Sequence, residues 1–490
     1  MNTEYFDVLI VGAGLSGIGS AYHLQTKCRK RNYVILEGRD AIGGTWDLFR
    51  YPGIRSDSDM HTFGFNFKPW KDAKAIADGP SILKYLQETV EENGIDKHIR
   101  FGHSVKKATW SGEDAIWTVE AERKDTGETV TFRCNFLLMC SGYYSYKGGF
   151  TPEFAGREDF RGPIIHPQHW PEDLDYRGKN VVVIGSGATA MTLVPAMAPD
   201  VGHITMLQRS PTYVVSLPSK DKMANWLRKY LPEKLAYAIT RWRNINLQQF
   251  FYKRMRKYPE RAKNFLLGKV RKKLGPEYDV ETHFTPNYNP WDQRLCVVPD
   301  GDLFRAIKSG KASVVTDHID RFTETGILLK SGKELDADII VTATGLNLVT
   351  LGEIDFFIDG EPVDFSQTFS YKGLMYSNVP NLVSTFGYVN ASWTLRSDLT
   401  AEYTCRLLKY MDRRGFRQCI PRLRKKDRGM SPRPFLSHFT PGYVQRVLPF
   451  FPKQGDQEPW IVPQNYGIDK RMLRQAPIND GVMEFSHCVR

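Results

Sequence analysis

The stretch Asp7-Val-Leu-Ile-Val-Gly12-Ala-Gly14-Leu-Ser-Gly17 decides the fold of this chain. It begins with a mostly apolar run that is typical of a buried strand, and Ile18–Leu24 directly after it predicts a helix. A G-x-G-x-x-G pattern alone is weak evidence. Between a strand and a helix, however, it is typical of a turn that binds a dinucleotide.

Each glycine of this turn has a physical role, and an acid follows at the expected distance. Gly12 permits the tight turn, Gly14 lets the backbone approach a pyrophosphate at the helix N-terminus, and Gly17 permits close packing of helix on strand. The run Tyr33–Leu36 predicts a second buried strand that ends in Glu37, 20 residues beyond Gly17. A carboxylate there accepts hydrogen bonds from ribose hydroxyls and repels a 2′-phosphate.

The segments downstream of Glu37 indicate that the first dinucleotide is FAD. Gly43-Gly44-Thr45-Trp46 stands where related flavoproteins hold FAD in a loop. Phe136–Gly142 and Asp338–Gly345 resemble the two returning strands of flavoproteins with two dinucleotide domains, in which Val105 would face the adenine edge. The predicted FAD-binding residues are Gly12, Gly14, Ser16, Gly17, Glu37, Gly44, Thr45, Trp46, Asp47, Leu48, Arg55, Ser56, Asp57 and Val105.

A second glycine-rich loop, Gly185-Ser-Gly187-Ala-Thr-Ala190, follows the predicted strand Asn180–Ile184. Alanine at the third glycine position is an accepted variant of the motif. The next predicted strand, His203–Leu207, ends without an acid, and an arginine follows it that suits a 2′-phosphate, so NADPH is expected. An arginine that only faces solvent is the alternative. The predicted NADPH-binding residues are Gly185, Ser186, Gly187, Ala188, Thr189, Ala190, Arg209 and Ser210.

The number and spacing of the cysteines exclude some kinds of redox chemistry. The seven cysteines are odd in number and never spaced C-x-x-C, which argues against a structural zinc site and a redox-active disulfide, and predicts a reducing cytoplasm. A flavoprotein that takes hydride from NADPH is then expected to pass electrons to O2. The first residues lack the basic region of a signal peptide, and no apolar run of about 18 residues predicts a membrane span.

The net charge of +12 belongs to one segment. Residues 219–275 contain 17 Lys or Arg and three acids, so this segment carries +14 and the remainder of the chain about −2. Aromatic residues and leucines recur in it at roughly helical spacing. We interpret it as a helical insertion with a solvated basic face, with peripheral contact to anionic lipid as the alternative. No nucleic-acid-reading motif accompanies the charge, so nucleic-acid binding is not expected.

The segment Phe160-Arg-Gly162-Pro-Ile-Ile-His166-Pro-Gln-His-Trp170-Pro171 lies between the two glycine-rich loops. It follows the pattern F-x-G-x-x-x-H-x-x-x-W-P and resembles the fingerprint of the Baeyer–Villiger monooxygenases, which are class B flavoprotein monooxygenases. Longer strings are most similar to the ethionamide-activating branch of that family; they span residues 43–59, 164–176 and 289–296.

The resemblance implies a chemistry and two catalytic residues. Reduced FAD would react with O2 to give a C4a-peroxyflavin, which inserts one oxygen atom into a ketone to give an ester or lactone, with sulfoxidation as a side activity. Arg294 aligns with the family's active-site arginine, whose permanent charge stabilises an anionic peroxide. Asp57 aligns with the carboxylate that pairs with this arginine. A purely structural ion pair is the alternative.

The resemblance also gives two residues a role other than catalysis, and the chain departs from the family's pattern at one position. His166 and Trp170 are expected to set domain geometry and NADPH placement. Many family members carry a lysine directly before the catalytic arginine, where this chain has Gln293. Arg209 would then carry more of the preference for NADPH over NADH.

The predicted architecture is α/β, with two Rossmann-like dinucleotide-binding domains, for FAD and NADPH, and a helical insertion in the NADPH domain. We predict a first part of the FAD domain at 1–145, a linker with the fingerprint at 146–175, an NADPH domain at 176–340 with the insertion at 219–275, and the rest of the FAD domain with a C-terminal region at 341–490. A heteroatom-oxygenating monooxygenase or NADPH oxidase, and a membrane-docked redox sensor, are the alternative functions. The ketone or sulfide and the oligomeric state do not follow from the sequence.

Overall fold

The computed structural model describes residues 3–437 and 439–487. Helices and strands alternate along most of this length, and the two largest clusters of buried apolar residues centre on the two predicted nucleotide units. The elements follow in three groups along the chain.

The first group surrounds the first glycine-rich loop. Its strands are β1 Glu4–Val11, β2 Tyr33–Leu36, β3 Ile99–Arg100, β4 His103–Ser111, β5 Ile116–Arg123, β6 Thr129–Met139 and β7 Tyr144–Gly149, and its α-helices are α1 Leu15–Lys27, α2 Thr45–Leu48, α3 Met60–Phe63 and α4 Gly79–Glu92.

The second group surrounds the second glycine-rich loop. Its strands are β8 Ile164–Ile165, β9 Asn180–Ile184, β10 His203–Gln208, β11 Val214–Leu217, β12 Cys296–Pro299, β13 Ala312–Thr316, β14 Ile319–Thr323, β15 Gly326–Leu329, β16 Glu334–Asp336 and β17 Ile339–Thr342. Its α-helices are α5 Ala188–Met197, α6 Lys222–Tyr230, α7 Glu233–Lys257, α8 Pro259–Leu274, α9 Val280–Phe284 and α10 Asp302–Lys308.

The third group returns to the first unit. Its strands are β18 Leu346–Leu348, β19 Asp355–Ile358, β20 Glu361–Pro362, β21 Ser370–Tyr371, β22 Met375–Tyr376, β23 Leu382–Ser384, β24 Gln418–Pro421, β25 Arg433–Pro434, β26 Lys453–Gln454 and β27 Met483–Ser486, and its α-helices are α11 Trp393–Arg414, α12 Gly442–Gln445 and α13 Tyr466–Lys470.

Each glycine-rich loop begins at the end of an inner strand of a sheet. In the nine-stranded first sheet, β1 lies between β2 and β6 and is parallel to both, and β23 from the third group also pairs with β6. In the five-stranded second sheet, β9 lies between β10 and β17, again in parallel. Next to such a strand, the connections that follow two neighbouring parallel strands run to opposite sides of the sheet. A crevice therefore opens at the carboxyl ends of these strands.

The fold-class prediction is confirmed, including the helical insertion. Helices α6, α7 and α8 follow one another between β11 and β12 and occupy the segment predicted to be helical and basic. The predicted strand Asp7–Val11 lies inside β1, which begins three residues earlier and ends at the same residue. The predicted helix Ile18–Leu24 lies inside α1, which extends further at both ends. The domain limits themselves stay a prediction.

The fingerprint segment joins the second sheet. Strand β8 pairs in parallel with β17, and Phe160 is buried against the same face. His166 donates from Nε2 to the carbonyl oxygen of Gly345, 3.0 Å away, and its Nδ1 accepts from the amide of Gln168 at 3.2 Å. The side chain of Gln168 donates in turn to the carbonyl oxygen of Ser145, at 2.7 Å. His166 and Gln168 together connect the two segments that cross between the units, and the geometric role of His166 stays a prediction.

Candidate active site

A cleft of about 700 Å³ lies between the two units. Both glycine-rich loops contribute to its wall. The predicted site residues that line it are Gly12, Gly14, Ser16, Glu37, Gly44, Thr45, Trp46, Arg55, Ser56, Asp57, Val105, Ala188, Thr189 and Arg294.

The first loop is closed by contacts that only glycine allows. Gly12 has φ +102°, and a Cβ there would lie 2.6 Å from the carbonyl oxygen of Cys140. A Cβ on Gly17 would lie 1.9 Å from the carbonyl oxygen of Gly12, well inside van der Waals contact. Gly14 begins α1 with no side-chain cap, so the first amides of the helix face the cleft without a protein acceptor from the cap residue. This geometry suits an anionic group at the helix N-terminus.

Glu37 is held at the end of β2 by backbone amides. Its Oε2 accepts from the amide of Ala13 at 2.7 Å, and its Oε1 accepts from the amide of Arg39 at 2.9 Å. Burial raises the pKa of Glu37, and the two amides oppose this shift without cancelling it. The carboxylate is fixed beside the first loop and lines the cleft, where a carboxylate can accept from sugar hydroxyls.

Val105 lines the cleft next to an irregularity in its strand. The register between β4 and β5 shifts between Val105 and Lys107, so that Lys106 is the extra residue of a bulge. Such a bulge interrupts the ladder and redirects the neighbouring backbone. Ser104 and Lys106 also line the cleft, although sequence reasoning singled out Val105 alone.

Two of the predicted FAD residues lie beside the cleft. Both carboxylate oxygens of Asp47 are engaged by arginines, Oδ2 by Arg39 at 2.5 Å and Oδ1 by Arg50 at 2.7 Å. Leu48 is buried in the apolar cluster of the second unit. Through these contacts, Asp47 and Leu48 support the loop that ends in Trp46.

The second loop is more open than the first. Ala188 and Thr189 line the cleft, whereas Gly187 is exposed and a Cβ there would meet nothing within 4 Å. Ser186 donates to the carbonyl oxygen of Ser210 at 2.9 Å, which ties the loop to the end of β10. Arg209 is exposed at that end, outside the cleft wall but beside the loop. Ala190 is fully buried at the start of α5.

The two predicted catalytic residues meet in the cleft although they are far apart in the chain. A guanidinium nitrogen of Arg294 lies 3.3 Å from Oδ2 of Asp57. Burial would lower the pKa of Arg294, but Asp57 and the phenols of Tyr443, Tyr143 and Tyr144 outweigh it and raise that pKa. Arg294 keeps 42% of its side-chain surface exposed, against 14% for Asp57, so the cation is accessible from the cleft while its partner is screened.

Two tyrosines near Arg294 were not singled out as site residues by sequence reasoning. Tyr143 and Tyr144 follow β6 and share a hydrogen bond of 2.8 Å between their hydroxyls. The ring of Tyr143 stacks on Trp393, with centroids 4.9 Å apart, and the indole of Trp393 donates to Ser16 at 2.9 Å. The only sequence signal is that two tyrosines directly follow the small residues that close a returning strand.

Contacts between the units hold the cleft in place. Arg55 donates to Oδ2 of Asp302 at 2.6 Å and to the carbonyl oxygen of Met191 at 3.4 Å, both in the second unit. Burial raises the pKa of Tyr51 to about 12, although a hydrogen bond with Thr189 of the second loop opposes the shift. Ser56, next to Arg55, is buried and its hydroxyl donates to the carbonyl oxygen of Ser58 at 2.9 Å. The predicted site segment 55–57 is therefore a bridge between the units as well as part of the cleft wall.

The cleft lies between two sheets, and in each sheet a glycine-rich loop follows an inner strand with parallel neighbours. This arrangement is typical of an oxidoreductase fold with two dinucleotide sites. Residues 7–411 match the family model described as flavin-binding monooxygenase-like. This chain belongs to that family, as its sequence predicted.

Similar curated proteins match over nearly the whole chain. The FAD-containing monooxygenase EthA of Mycobacterium tuberculosis is 55% identical over 486 residues, covering 99% of this chain and 98% of that protein. The probable FAD-binding monooxygenase AlmA of Acinetobacter baylyi is 52% identical, covering 98% of this chain and 96% of its own length.

Solved structures share the fold at low sequence identity. A steroid monooxygenase bound to NADP superposes with a TM-score of 0.77 at 22% identity, covering 99% of this chain and all of the other. A cyclohexanone monooxygenase from Rhodococcus sp. Phi1, bound to NADP+, gives a TM-score of 0.75 at 21% identity with the same coverage. These two structures support the fold with two dinucleotide-binding domains.

Proposed function

We propose that this protein is a Baeyer–Villiger monooxygenase that binds FAD, consumes NADPH and inserts one oxygen atom from O2 into ketones. The balanced reaction converts ketone, O2, NADPH and a proton into ester or lactone, water and NADP+. The observation that carries the proposal is the Arg294–Asp57 pair, 3.3 Å apart in a cleft shared by both glycine-rich loops.

The residues of the first unit fit FAD. Gly14 leaves the N-terminus of α1 open to a pyrophosphate, and the fixed carboxylate of Glu37 suits the ribose hydroxyls. The bulge beside Val105 suits the adenine edge. We assign NADPH to the second loop, where the exposed Arg209 is free to meet a 2′-phosphate. When bound, reduced FAD supplies the oxygen-activating chemistry and NADPH supplies the hydride.

We assign to Arg294 the stabilisation of negative charge during oxygen transfer. A guanidinium with a raised pKa stays protonated across the working pH range, so it presents a permanent cation to the cleft. Asp57 fixes the direction of that cation while leaving part of it exposed. Tyr143, Tyr144 and Trp393 cover the neighbouring wall and reduce the access of water.

The first test measures coupling between NADPH oxidation and ester formation. Purified FAD-loaded protein is mixed with NADPH and a linear ketone such as 2-octanone, and the products are read by gas chromatography. We expect one ester per NADPH. NADPH consumption with peroxide release and no ester, across several ketones, would favour an oxidase, and sulfoxide from a thioether without any ester would favour a heteroatom-oxygenating enzyme.

The second test changes the cation. We expect Arg294→Ala to lower the rate of ester formation about 10²–10³-fold, because a preorganised charge is lost. Arg294→Lys keeps the charge without the planar fork and should recover part of the rate. Ester formation by Arg294→Ala at the wild-type rate would contradict the assigned role of this residue.

A further inference from the structure

The insertion helices expose an unusual number of large apolar side chains. Among the described residues, fifteen large hydrophobic side chains are exposed, and ten of them lie between residues 219 and 275. They are Met223, Trp226, Tyr230, Leu235, Trp242, Leu247, Phe250, Phe251, Tyr258 and Phe265. Apolar surface concentrated in this way marks an interaction surface rather than scattered exposure. We call these ten residues and the lysines and arginines among them the α6–α8 surface.

The exposed residues follow helical faces. On α6, Met223, Trp226 and Tyr230 are spaced three and four residues apart and share one face. On α7, three of the five exposed apolar residues, Leu235, Trp242 and Phe250, recur after seven and eight residues, which places these three on one side of the helix. Each of these helices therefore presents a defined apolar row to solvent.

The opposite side of α7 packs against the first unit. Arg241 is buried and donates to the carbonyl oxygens of His61, Thr62 and Gly64, at 2.9, 3.2 and 2.7 Å. Four residues earlier, the hydroxyl of Tyr237 donates to the carbonyl oxygen of Phe65 at 2.9 Å, and it is likewise buried. The inner side of α7 thus already packs against the first unit. The apolar outer side of α7 is therefore not the side through which this helix packs within the chain.

Basic side chains accompany the apolar rows. Residues 219–275 carry +14, and the cations sit beside the rings: the ammonium of Lys229 lies 5.4 Å from the ring centre of Tyr230, and that of Lys269 lies 5.4 Å from the ring centre of Phe265. Rings flanked by lysines suit the interface of an anionic bilayer, where the rings enter the headgroup boundary and the lysines meet lipid phosphates.

We propose that the α6–α8 surface docks this protein on an anionic lipid membrane. A second copy of the chain is a poorer occupant, since pairing this surface with itself would bring two segments of +14 together. A nucleic acid offers phosphate but no apolar phase for leucines and methionine. Among the described residues no helix is long and apolar enough to cross a membrane, so the contact is peripheral, with the helices lying along the interface.

The test is co-sedimentation of the FAD-loaded full chain with vesicles. We expect binding to mixed phosphatidylglycerol and phosphatidylcholine vesicles, no binding to pure phosphatidylcholine, and release in roughly 0.5 M salt. Lys253→Gln combined with Lys272→Gln should weaken binding about 25-fold, because each lysine near an anionic surface contributes about fivefold. Lys425→Gln with Lys426→Gln is the matched control, since both lysines are exposed outside the α6–α8 surface, and it should bind like the wild type.

A second pair of variants tests the apolar rows. Trp226→Ser with Trp242→Ser should abolish vesicle binding, whereas Phe101→Ser with Phe450→Ser, two exposed rings elsewhere, should leave it unchanged. Bound flavin and melting temperature confirm that each variant is folded. The proposal is overturned if neither vesicle binds the wild type, if the control pairs lose binding equally, or if sedimentation velocity shows self-association that the tryptophan pair abolishes without any vesicle binding.

Discussion

The two glycine-rich loops share a motif but differ in how tightly the protein encloses them. Ser16 in the first loop and Glu37 beside it are buried, and a methyl group on Gly17 would collide with the carbonyl oxygen of Gly12. In the second loop Gly187 and Arg209 are exposed. The same local turn therefore occurs once inside the fold and once at its surface.

The difference fits the two tasks that we assign to the loops. A cofactor that stays with the protein through many reactions gains from enclosure, because burial excludes water and slows release. A nucleotide that must leave after each reaction gains from a site with an open side. Substitutions at equivalent positions of the loops should consequently have unequal effects.

The largest expected difference concerns the fold. Gly17→Ala should leave little folded protein, because its Cβ would lie 1.9 Å from a backbone oxygen and the loop would have to move. Gly187→Ala, where a Cβ meets nothing within 4 Å, should change the melting temperature by less than about 2 °C. Circular dichroism and thermal melts check both. A normal melting curve for Gly17→Ala would show that the first loop is less constrained than its contacts indicate.

The next effect separates folding from cofactor binding in the first loop. A Cβ on Gly14 would have its nearest contact at 3.7 Å, with Gly44, so Gly14→Ala should fold. The added methyl would still stand where the pyrophosphate must approach, and we expect FAD occupancy to fall about tenfold or more. Occupancy is read from the flavin absorbance of the purified protein. Full occupancy in this variant would argue against FAD at the N-terminus of α1.

A smaller effect is expected at the open loop. Arg209→Gln should raise the KM for NADPH about tenfold, since a charge-assisted contact is lost, while the KM for NADH stays within about twofold. The melting temperature should not change, because the side chain is exposed. Arg157→Gln, another exposed arginine, serves as the control. If the ratio of the two KM values is the same in Arg209→Gln as in the wild type, the 2′-phosphate is recognised elsewhere.

The smallest effect concerns the histidine that links the segments between the loops. Burial lowers the pKa of His166, although its hydrogen bond to Gly345 opposes the shift. Between this lowered pKa and about 6.5 the unfolded chain binds more protons than the folded one, so stability falls as the pH is lowered through that window. His166→Gln should flatten the acid side of the plot of melting temperature against pH, by an amount worth less than about 1 kcal/mol.

The exposed His169, three residues further along, is the matched control for this measurement. His169→Gln should change the slope less than His166→Gln does, because the charge of His169 is only a minor cause of the lowered pKa of His166, after burial. Equal slopes for the wild type and His166→Gln would mean that His166 does not link protonation to stability.

Local patterns were sufficient for the family and the fold class. The turns at Gly12 and Gly185 and their flanking strands are set by residues adjacent in the chain, because β-propensity and the conformational freedom of glycine act over a few residues. The fingerprint at Phe160–Pro171 and the long shared strings identified the family, and the family model confirmed it. The roughly helical spacing of aromatic residues and leucines in 219–275 predicted the helical insertion, and α6–α8 confirmed it.

Tertiary structure alone decided which distant residues meet. Asp57 and Arg294 were named from a resemblance, but their separation, the unequal exposure of the two side chains and the tyrosines around them depend on how two sheets pack across a cleft. Arg241 donates hydrogen bonds to three carbonyl oxygens, and these bonds orient the apolar rows of the insertion toward solvent. The local sequence does not predict these bonds. Such contacts join segments that are far apart in the chain. A sequence pattern describes only the propensities of neighbouring residues, whereas the packing of the folded chain determines which distant residues contact one another.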